Sequence, residues 1–204
     1  MPTEIRKIRL LLRLGRSAQV NEEKENNNVI VEVVPYRAEW KEMFREEAER
    51  IRGILGDELV RVFHIGSTSV PGIQAKPVID LMPVVRDIQR LDAYDTEFMA
   101  LGYEPMGEYG IPGRRFYRKG GERRTHHIHA FQYDNAYGIL RHASFCAYLR
   151  AFPAVRDEYA ALKAGLAKQF PADIEAYCDG KDAFVKQVER EALLWYWNGA
   201  ESLL

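Results

Sequence analysis

The chain has 204 residues, 29% of them charged, and its formal net charge at pH 7 is −1. This length suits one domain with a substantial core better than two ordinary domains. A net charge so close to zero gives no overall field that would attract nucleic acid or an anionic membrane, so a nucleic-acid partner is not expected unless a local basic patch supplies the attraction.

The sequence also favours a cytoplasmic location without a membrane span. Its two cysteines, Cys146 and Cys178, are too few for a disulfide framework, and we expect both to be reduced. No apolar run approaches the length of about eighteen residues that a membrane-spanning helix needs. The N-terminus also lacks the apolar stretch and small-residue cleavage site of a secretory signal.

Residues 1–28 form a basic extension followed by a polar linker. EIRKIRLLLRLGR (4–16) places basic side chains around a Leu/Ile stripe, and NEEKENNN (21–28) follows. A helix docked on its own domain or frayed in solvent is the simpler interpretation. Binding to a membrane surface or to a partner is the alternative, because basic amphipathic helices serve both purposes.

The folded domain is predicted to begin at Val29, where VIVEVV (29–34) is typical of a strand. Apolar residues from Trp40 to Leu55 then recur at helical spacing within a stretch rich in Glu and Arg. Gly56 follows as a natural C-terminal cap. This segment is therefore expected to be an amphipathic helix that covers a sheet.

The next elements are predicted to build that sheet. LVRVFHI (59–65) indicates a strand, and PVIDLMPVV (77–85) indicates a second, nearly continuous apolar strand near the centre of the sheet. Asp87 is a candidate N-cap for a helix that ends at Gly102. RRFYRKGGERRTHHIHAFQY (114–133) alternates on both sides of a Gly-Gly pair, which predicts a hairpin.

After residue 134 the strand pattern ends and three helical runs follow, one of them with Pro153 at its start. The predicted architecture is α+β, with a mixed-sheet core and flanking helices over residues 29–134. Residues 135–204 form a helical C-terminal portion packed on that core.

The run HIGSTSVPGIQAKPVIDLMPVV (64–85) carries the main functional signal. A Gly-Ser turn after a strand offers backbone N–H groups and hydroxyls that suit phosphate oxygens. It is not a P-loop, because Ile73-Gln74 replaces the Lys-Ser/Thr pair that such a loop requires. It also lacks the three spaced glycines of the dinucleotide-binding pattern.

Asp80 lies inside the apolar strand, where an ionised carboxylate is costly unless something pairs with it. A bound cation, a basic partner such as Lys76 or an arginine, or a strand end that opens into a cleft would each remove that cost. A purely structural role, in which Asp80 pairs with a hairpin arginine or caps a neighbouring backbone, is equally compatible with the sequence.

The same run resembles the GrpB-like family, and the resemblance covers roughly residues 29–192. IGSTSVPG and AKPVID are its most specific phrases. That family is similar to the nucleotidyltransferase superfamily, whose signature of a Gly-Gly or Gly-Ser turn and a following Asp fits Gly66-Ser67 and Asp80. The resemblance implies a nucleotidyltransferase-like fold, with phosphate binding at Gly66, Ser67, Thr68 and Ser69, and a divalent metal ion at Asp80.

The signature departs from the superfamily at one position. Enzymes of the superfamily hold two metal ions with carboxylates two residues apart, because both the attacking and the leaving oxygen need neutralising. Met82 stands at the second position here, and a thioether is a poor ligand for a hard cation. The usual two-metal arrangement is therefore not expected.

His127 and His129 are the candidates to complete a different metal site. Strand periodicity places the two imidazoles on one face of the hairpin. A set of one carboxylate and two imidazoles is softer than a magnesium cage and suits manganese, zinc or iron. The alternative is that the histidines only form hydrogen bonds or meet the phosphates directly.

The hairpin is also basic, with six cationic residues against one acid. Alternation places Arg115 and Lys119 on one side, and we predict that these two join Lys76 in neutralising phosphate charge. Exposure to solvent is the alternative interpretation for the arginines at the hairpin tip. The interleaved aromatic residues are more typical of sheet packing than of base stacking.

The C-terminal helices carry weaker signals. Relatives in the family often show Phe-Arg-Asp-Tyr-Leu where this chain has FCAYL (145–149), so a basic and an acidic residue are missing. Tyr177 and Lys181 resemble a pair in relatives that could approach a nucleotide, although four-residue spacing is common on any helix surface. Trp195 and Trp197 indicate packing or an oligomer contact, and a homo-oligomer is possible.

The sequence therefore predicts a protein that binds a nucleoside triphosphate or another phosphorylated small molecule together with Mg, Mn or Zn. Transfer of a nucleotidyl group to an unknown acceptor is the leading function, with Asp80, His127 and His129 as catalytic and metal-binding residues. A catalytically degenerate nucleotide-binding or regulatory module and a metal-dependent phosphohydrolase are the alternatives, because a fold does not select among them.

Overall fold

Helical spacing and a glycine stop define the first helix. In the computed structural model, which describes residues 29–199, helix α1 spans Trp40–Leu55. It ends at Gly56, whose φ of 48° lies in the left-handed region that glycine adopts without steric cost. The basic extension and polar linker predicted over residues 1–28 lie outside the described residues.

The strand predicted at 29–34 is wrong. This segment forms a single bridge, between Val34 and Ala75, and its other backbone bonds reach separate loops at Glu122 and Pro171. Val29, Val31 and Val34 are nevertheless buried. The apolar pattern therefore reflects the burial of these valines along an extended segment that has no continuous neighbouring strand.

One five-stranded mixed sheet forms the centre of the structure, and its strands lie in the order β1-β2-β5-β4-β3. The strands β2 and β5 are parallel, whereas the other three neighbouring pairs are antiparallel. The predicted strands at 59–65 and 77–85 and the predicted hairpin are confirmed. The strands are β1 Leu59–Ile65, β2 Ile79–Val85, β3 Tyr103–Pro105, β4 Arg114–Lys119 and β5 His126–Gln132.

The helix predicted between Asp87 and Gly102 is split into two. A 3-10 helix spans Ile88–Tyr94 and a short α2 spans Asp95–Ala100. Asp87 does cap the segment, since its carboxylate accepts a hydrogen bond from the backbone N–H of Gln89 at 2.9 Å.

The C-terminal portion is helical, as predicted, with α3 at Ala136–Ala151, α4 at Pro153–Gln169 and α5 at Ile174–Trp197. These helices share an apolar cluster with the sheet, so the two portions bury a common core. Its buried members are Ile65, Val70, Ile73, Met82, Phe131, Cys146, Leu149, Tyr159 and Val188.

The two faces of the sheet meet different layers. Ile79 and Leu81 of β2 pack in the same cluster as α1 residues, whereas Asp80 and Met82 point toward the C-terminal helices. The α+β architecture with a helical C-terminal portion is therefore confirmed. Within residues 29–199, none of the helices combines the length and the apolar character that crossing a bilayer requires.

Candidate metal and phosphate site

A cavity of about 370 Å³ lies between the sheet and the three C-terminal helices. Its floor is formed by the turn after β1 and by the first residues of β2 and β5. The turn begins at Gly66, whose φ is 67°, and continues as a short 3-10 helix over Ser67–Ser69. A Cβ atom at Gly66 would overlap with the carboxylate of Asp80. Glycine is needed here because the backbone passes directly against that acid.

The three hydroxyls of the turn have different partners. Thr68 is buried and donates to the carbonyl of Val78 at 3.1 Å, while Ser69 donates to the carbonyl of Gly66 at 2.8 Å. Thr68 borders the cavity, but Ser69 does not line it. Ser67 is therefore the residue of the turn whose hydroxyl is best placed to meet a ligand in the cavity.

Asp80, His127 and His129 come together on the cavity floor. Parallel pairing of β2 with β5 sets Asp80 beside His127, and His129 follows on the same face. The Asp80 Oδ1 atom lies 3.3 Å from His127 Nδ1 and 3.5 Å from His129 Nε2. The side chains remain 23%, 20% and 16% exposed, so an ion can reach them.

Charge and hydrogen bonding at this cluster favour an ionised Asp80. Burial alone would raise the pKa of Asp80, but hydrogen bonds with His127 and His129 hold that pKa well below its ordinary value. Burial lowers the pKa of His129, even though Asp80 opposes the shift. We therefore take the cluster as a carboxylate beside a neutral His129.

The contact with Arg114 fixes the tautomer of His129. Arg114 Nη1 lies 3.3 Å from His129 Nδ1, and a guanidinium can only donate hydrogen bonds. The Nδ1 atom must therefore accept, which places the proton of the neutral ring on Nε2, toward Asp80. A metal ion at Nε2 would require that proton to leave and the contact with Arg114 to change.

The donor set fits one divalent cation. Asp80, His127 and His129 each offer a ligand atom, and these atoms lie within 4.8 Å of one another. One carboxylate oxygen and two imidazole nitrogens suit manganese or zinc better than magnesium, which prefers oxygen ligands.

The second carboxylate position of the two-metal signature is closed. Met82 follows Asp80 on the same strand face, but it is fully buried beneath α3 in the apolar cluster with Cys146. A carboxylate there would be enclosed by apolar groups rather than exposed to an ion. The second carboxylate is therefore missing, because methionine replaces it and because its position is not open to an ion.

Lys163 is a site residue that the sequence prediction missed. Its Nζ atom donates to Ser67 Oγ at 2.9 Å and lies 4.5 Å from the centre of the Tyr159 ring. Lys163 is 2% exposed, and within residues 29–199 no ion pair joins it to an acid. Burial lowers its pKa to about 7. The available signal was its spacing, four residues after Tyr159 on the buried stripe of α4.

Lys76 and Lys181 both lie close to the buried Tyr177 ring. The Lys76 Nζ atom is 5.2 Å from the ring centre, and the Lys181 Nζ atom is 5.8 Å from it. Burial lowers the pKa of Lys76. All three residues line the cavity, and phosphate or nucleotide binding by them stays a prediction.

Arg115 and Lys119, predicted to bind phosphate, are not brought to the cavity. Arg115 donates to both carboxylate oxygens of Asp92, at 2.6 and 2.9 Å, and Lys119 donates to Glu47 at 2.9 Å. Alternation places the two on one side of β4, but that side packs against α1 and the 3-10 helix. Residues Arg114, Phe116 and Arg118 share the face of the histidines.

His142 is a second residue that the sequence prediction missed. It lines the cavity from α3, and its ring centre lies 5.4 Å from that of His129. Burial lowers its pKa well below the ordinary value, so the ring is neutral. Its Nε2 atom is buried with no hydrogen-bond partner. Arg141 and Glu189, whose charged groups are 4.0 Å apart, line the same end.

Comparison with known proteins gives consistent matches. A sequence model of the family described as GrpB protein matches residues 30–191. The UPF0157 protein YqkA of Bacillus subtilis is 46% identical over 165 residues, covering 81% of this chain but only 48% of YqkA, about half its length. The crystal structure of the conserved protein GrpB from Enterococcus faecalis is 48% identical, with a TM-score of 0.79, and covers 81% of this chain and 99% of that chain.

Two further matches are more distant. A protein of Mycolicibacterium paratuberculosis named dephospho-CoA kinase is 25% identical over 192 residues, covering 82% of this chain and 46% of that protein. The structure of Cid1 in complex with the UTP analog UMPNPP matches with a TM-score of 0.46 at 13% identity, over 67% of this chain and 43% of that chain.

Proposed function

The chain belongs to the GrpB family, and on that premise we propose that it binds a nucleoside triphosphate with a divalent metal ion and transfers a nucleotidyl group to an acceptor. One observation carries the proposal. Buried Lys163, which has no acid partner in the described part of the chain, borders the same cavity as the Asp80-His127-His129 cluster. A buried unpaired cation is costly, and an anionic ligand removes that cost.

The phosphates would occupy the space between the turn and the helices. Ser67 donates its hydroxyl, and Lys163, Lys76 and Lys181 supply three positive charges around the same cavity. The turn at Gly66 is part of the cavity floor, so its backbone could add N–H donors to the phosphate. A triphosphate matches this concentration of positive charge better than a neutral ligand does.

The metal ion would be held by Asp80, His127 and His129. When bound, it would neutralise charge on the reacting phosphate, as divalent ions do in phosphoryl transfer. The residues themselves hold the cluster together before binding, since Asp80 accepts from both imidazoles.

The dephospho-CoA kinase match supports a nucleotide-related function at a coarse level, because that protein is named for a kinase activity. The observation that favours a second candidate is buried Met82. A family member that has lost the second carboxylate could bind a nucleotide without turning it over, as a regulatory module.

Label transfer tests the proposal. Each of ATP, GTP, CTP and UTP, labelled at the α-phosphate, is incubated with the protein and with magnesium, manganese or zinc. We expect label in a new product with at least one triphosphate, and its loss in Asp80→Asn but not in the exposed control Asp134→Asn.

Other outcomes assign other functions. Release of inorganic phosphate without label transfer would indicate a phosphohydrolase. Thermal stabilisation by a triphosphate that survives Asp80→Asn, without any turnover, would indicate the non-catalytic module. If no nucleotide raises the melting temperature with any of the three metals, the proposed function fails.

A further inference from the structure

A second cavity of about 510 Å³ opens beside the first one. We call it the side chamber. It shares His127, Lys76 and Cys178 with the first cavity, so the two cavities meet beside the Asp80-His127-His129 cluster. Small-molecule sites commonly occupy about 300–1,000 Å³. The side chamber is also lined by Tyr109, Phe116, Arg118, Arg124, Glu175 and Asp179.

One wall of the side chamber is aromatic. The rings of Tyr109 and Phe116 stack at 5.2 Å with an angle of 18° between their planes. Tyr109 is 46% exposed, and it is the one non-glycine residue with a positive φ, of 44°, in the described part of the chain. Arg114 donates to its carbonyl at 2.7 Å, which helps to hold this unusual conformation. The loop therefore presents a fixed aromatic face to the chamber.

The sheet side of the chamber has more positive than negative charge. Arg118 donates two hydrogen bonds to Glu104, at 2.5 and 2.8 Å, and Arg124 lies 3.9 Å from the same carboxylate. Two guanidinium groups thus share one acid. Lys76 adds a third cation, and within residues 29–199 it forms no ion pair with an acid. This side suits a compact anion such as a phosphate group.

The helix side of the chamber carries the opposite charge. Glu175 and Asp179 are exposed and lie one turn apart at the start of α5, so both project from one face of the helix. Neither forms an ion pair with another residue of 29–199. Carboxylates placed in this way accept hydrogen bonds from hydroxyl groups, as acidic residues do with the ribose of a nucleotide.

We propose that the side chamber binds the acceptor, and that the acceptor is a nucleoside monophosphate. The aromatic face takes the base, the Arg124 and Lys76 side takes the phosphate, and the Glu175-Asp179 pair takes the sugar hydroxyls. This inference rests on the proposed function, because only a transferase needs an acceptor. The shared His127 then places the acceptor next to the reacting phosphate.

The transfer step balances without a further reactant. A sugar hydroxyl of the monophosphate attacks the α-phosphorus of the triphosphate in the first cavity. A new P–O bond forms, the bond from the α-phosphorus to the bridging oxygen breaks, and pyrophosphate leaves. The hydroxyl proton passes to solvent, so the product is a phosphodiester-linked dinucleotide.

Binding of the monophosphates alone tests the side chamber. AMP, GMP, CMP and UMP are titrated by calorimetry into the wild type and into two variants, Tyr109→Asn and Arg124→Gln. Asparagine tolerates the left-handed conformation and removes the ring. We expect at least one monophosphate to bind, with about tenfold weaker binding in each variant, as the loss of one stacked base or one phosphate contact predicts. The exposed neighbour Arg123→Gln is the matched control and should bind as the wild type does.

The results separate this inference from the proposed function. Binding lost in Lys163→Ala but kept in both chamber variants would place the monophosphate in the first cavity and overturn the inference. Failure of all four monophosphates to bind would also overturn it. Binding that depends on Tyr109 and Arg124, with no label transfer from any triphosphate, would support the chamber as a mononucleotide site while the transferase function fails.

Discussion

A lysine on one side of the sheet is paired with an acid, whereas a lysine on the other side is not. On the α1 face, Lys119 donates to the fully buried Glu47 at 2.9 Å, and Arg50 donates to the same carboxylate at 2.7 Å. On the cavity face, Lys163 is more deeply buried than Lys119 but meets a hydroxyl and an aromatic ring. The first arrangement is complete by itself, whereas the second lacks a negative charge.

This difference distinguishes a buried charge that supports the fold from a buried charge that has no acidic partner. A buried charge with a hydrogen-bonded partner contributes to a unique structure, and losing one partner is costly. A buried charge without such a partner reduces stability until a ligand arrives. The α1 face therefore carries a hydrogen-bonded charge network that supports the sheet, and the cavity face carries the groups that we propose to bind an anion and a cation.

The largest effect is expected on the α1 face. Glu47→Leu leaves the partly buried charge of Lys119 and the more exposed charge of Arg50 without their shared acid, so the free energy of unfolding should fall by about 3 kcal/mol. Urea denaturation measures it. The exposed neighbour Glu46→Leu is the control and should change the free energy by less than about 0.5 kcal/mol. Equal losses in the two variants would contradict the structural role of the Glu47 network.

The next effect is on metal binding at the cavity face. Asp80→Asn removes the anionic ligand from the cluster, so the affinity for zinc or manganese should fall by about 100-fold or more, which corresponds to about 2.7 kcal/mol. Competition with a chromophoric chelator measures this change, with Asp134→Asn as the control. Unchanged affinity would mean that the Asp80-His127-His129 cluster does not hold a metal ion.

Lys163→Met should produce a gain in stability rather than a loss. The variant replaces a buried, unpaired amine with an apolar side chain of similar length, so the free energy of unfolding should rise by about 1–2 kcal/mol. The stabilisation given by a triphosphate should be lost at the same time. Lys168→Met, at an exposed position of the same helix, should change neither quantity. A destabilised Lys163→Met would show that the lysine is structural, as Lys119 is.

The smallest effect is a dependence of binding on pH. Burial lowers the pKa of Lys163 to about 7, so above that pH the free protein has a neutral amine that must take up a proton to hold phosphate. Triphosphate affinity should therefore fall as the pH rises through 7, by up to about tenfold per pH unit. Lys181, Asp80 and Lys76 contribute to the field at this lysine.

The control for this pH effect is Lys163→Arg. Its guanidinium stays charged across the range, and any titration of the ligand itself is common to both proteins. The ratio of wild-type to variant affinity, measured from pH 6 to 8.5, should therefore fall with rising pH. A constant ratio would exclude proton uptake by Lys163.

Sequence patterns correctly predicted the features that depend on residues close together in the chain. The helical spacing to Gly56, the turn at Gly66, the apolar strand with Asp80 inside it and the His127-His129 alternation all have their cause within about a dozen residues. The strand predicted at 29–34 failed because its pairing depends on distant loops. Alternation alone does not determine which face of a strand meets which layer, and for that reason Arg115 was assigned to the wrong side.

Lys163 was missed for a related reason. A lysine on a helix is exposed in most proteins, and only its place on the buried stripe of α4 distinguishes it from Lys168. Its hydrogen-bond partner, Ser67, is distant in sequence. The two residues come into contact only when α4 packs on the turn. Side-chain pairs of this kind require the tertiary structure.

The residues that line the cavity are spread along the chain, so they leave the ribosome at different times during synthesis. A ribosome releases the Gly66 turn and Asp80 first, His127 and His129 next, and Lys163 and Tyr177 last. The carboxylate and the imidazoles therefore emerge before the helices that cover them. Under the proposed function, a growing chain could bind the metal ion while that edge of the sheet is still open, whereas a phosphate could bind only after the C-terminal helices have been synthesised.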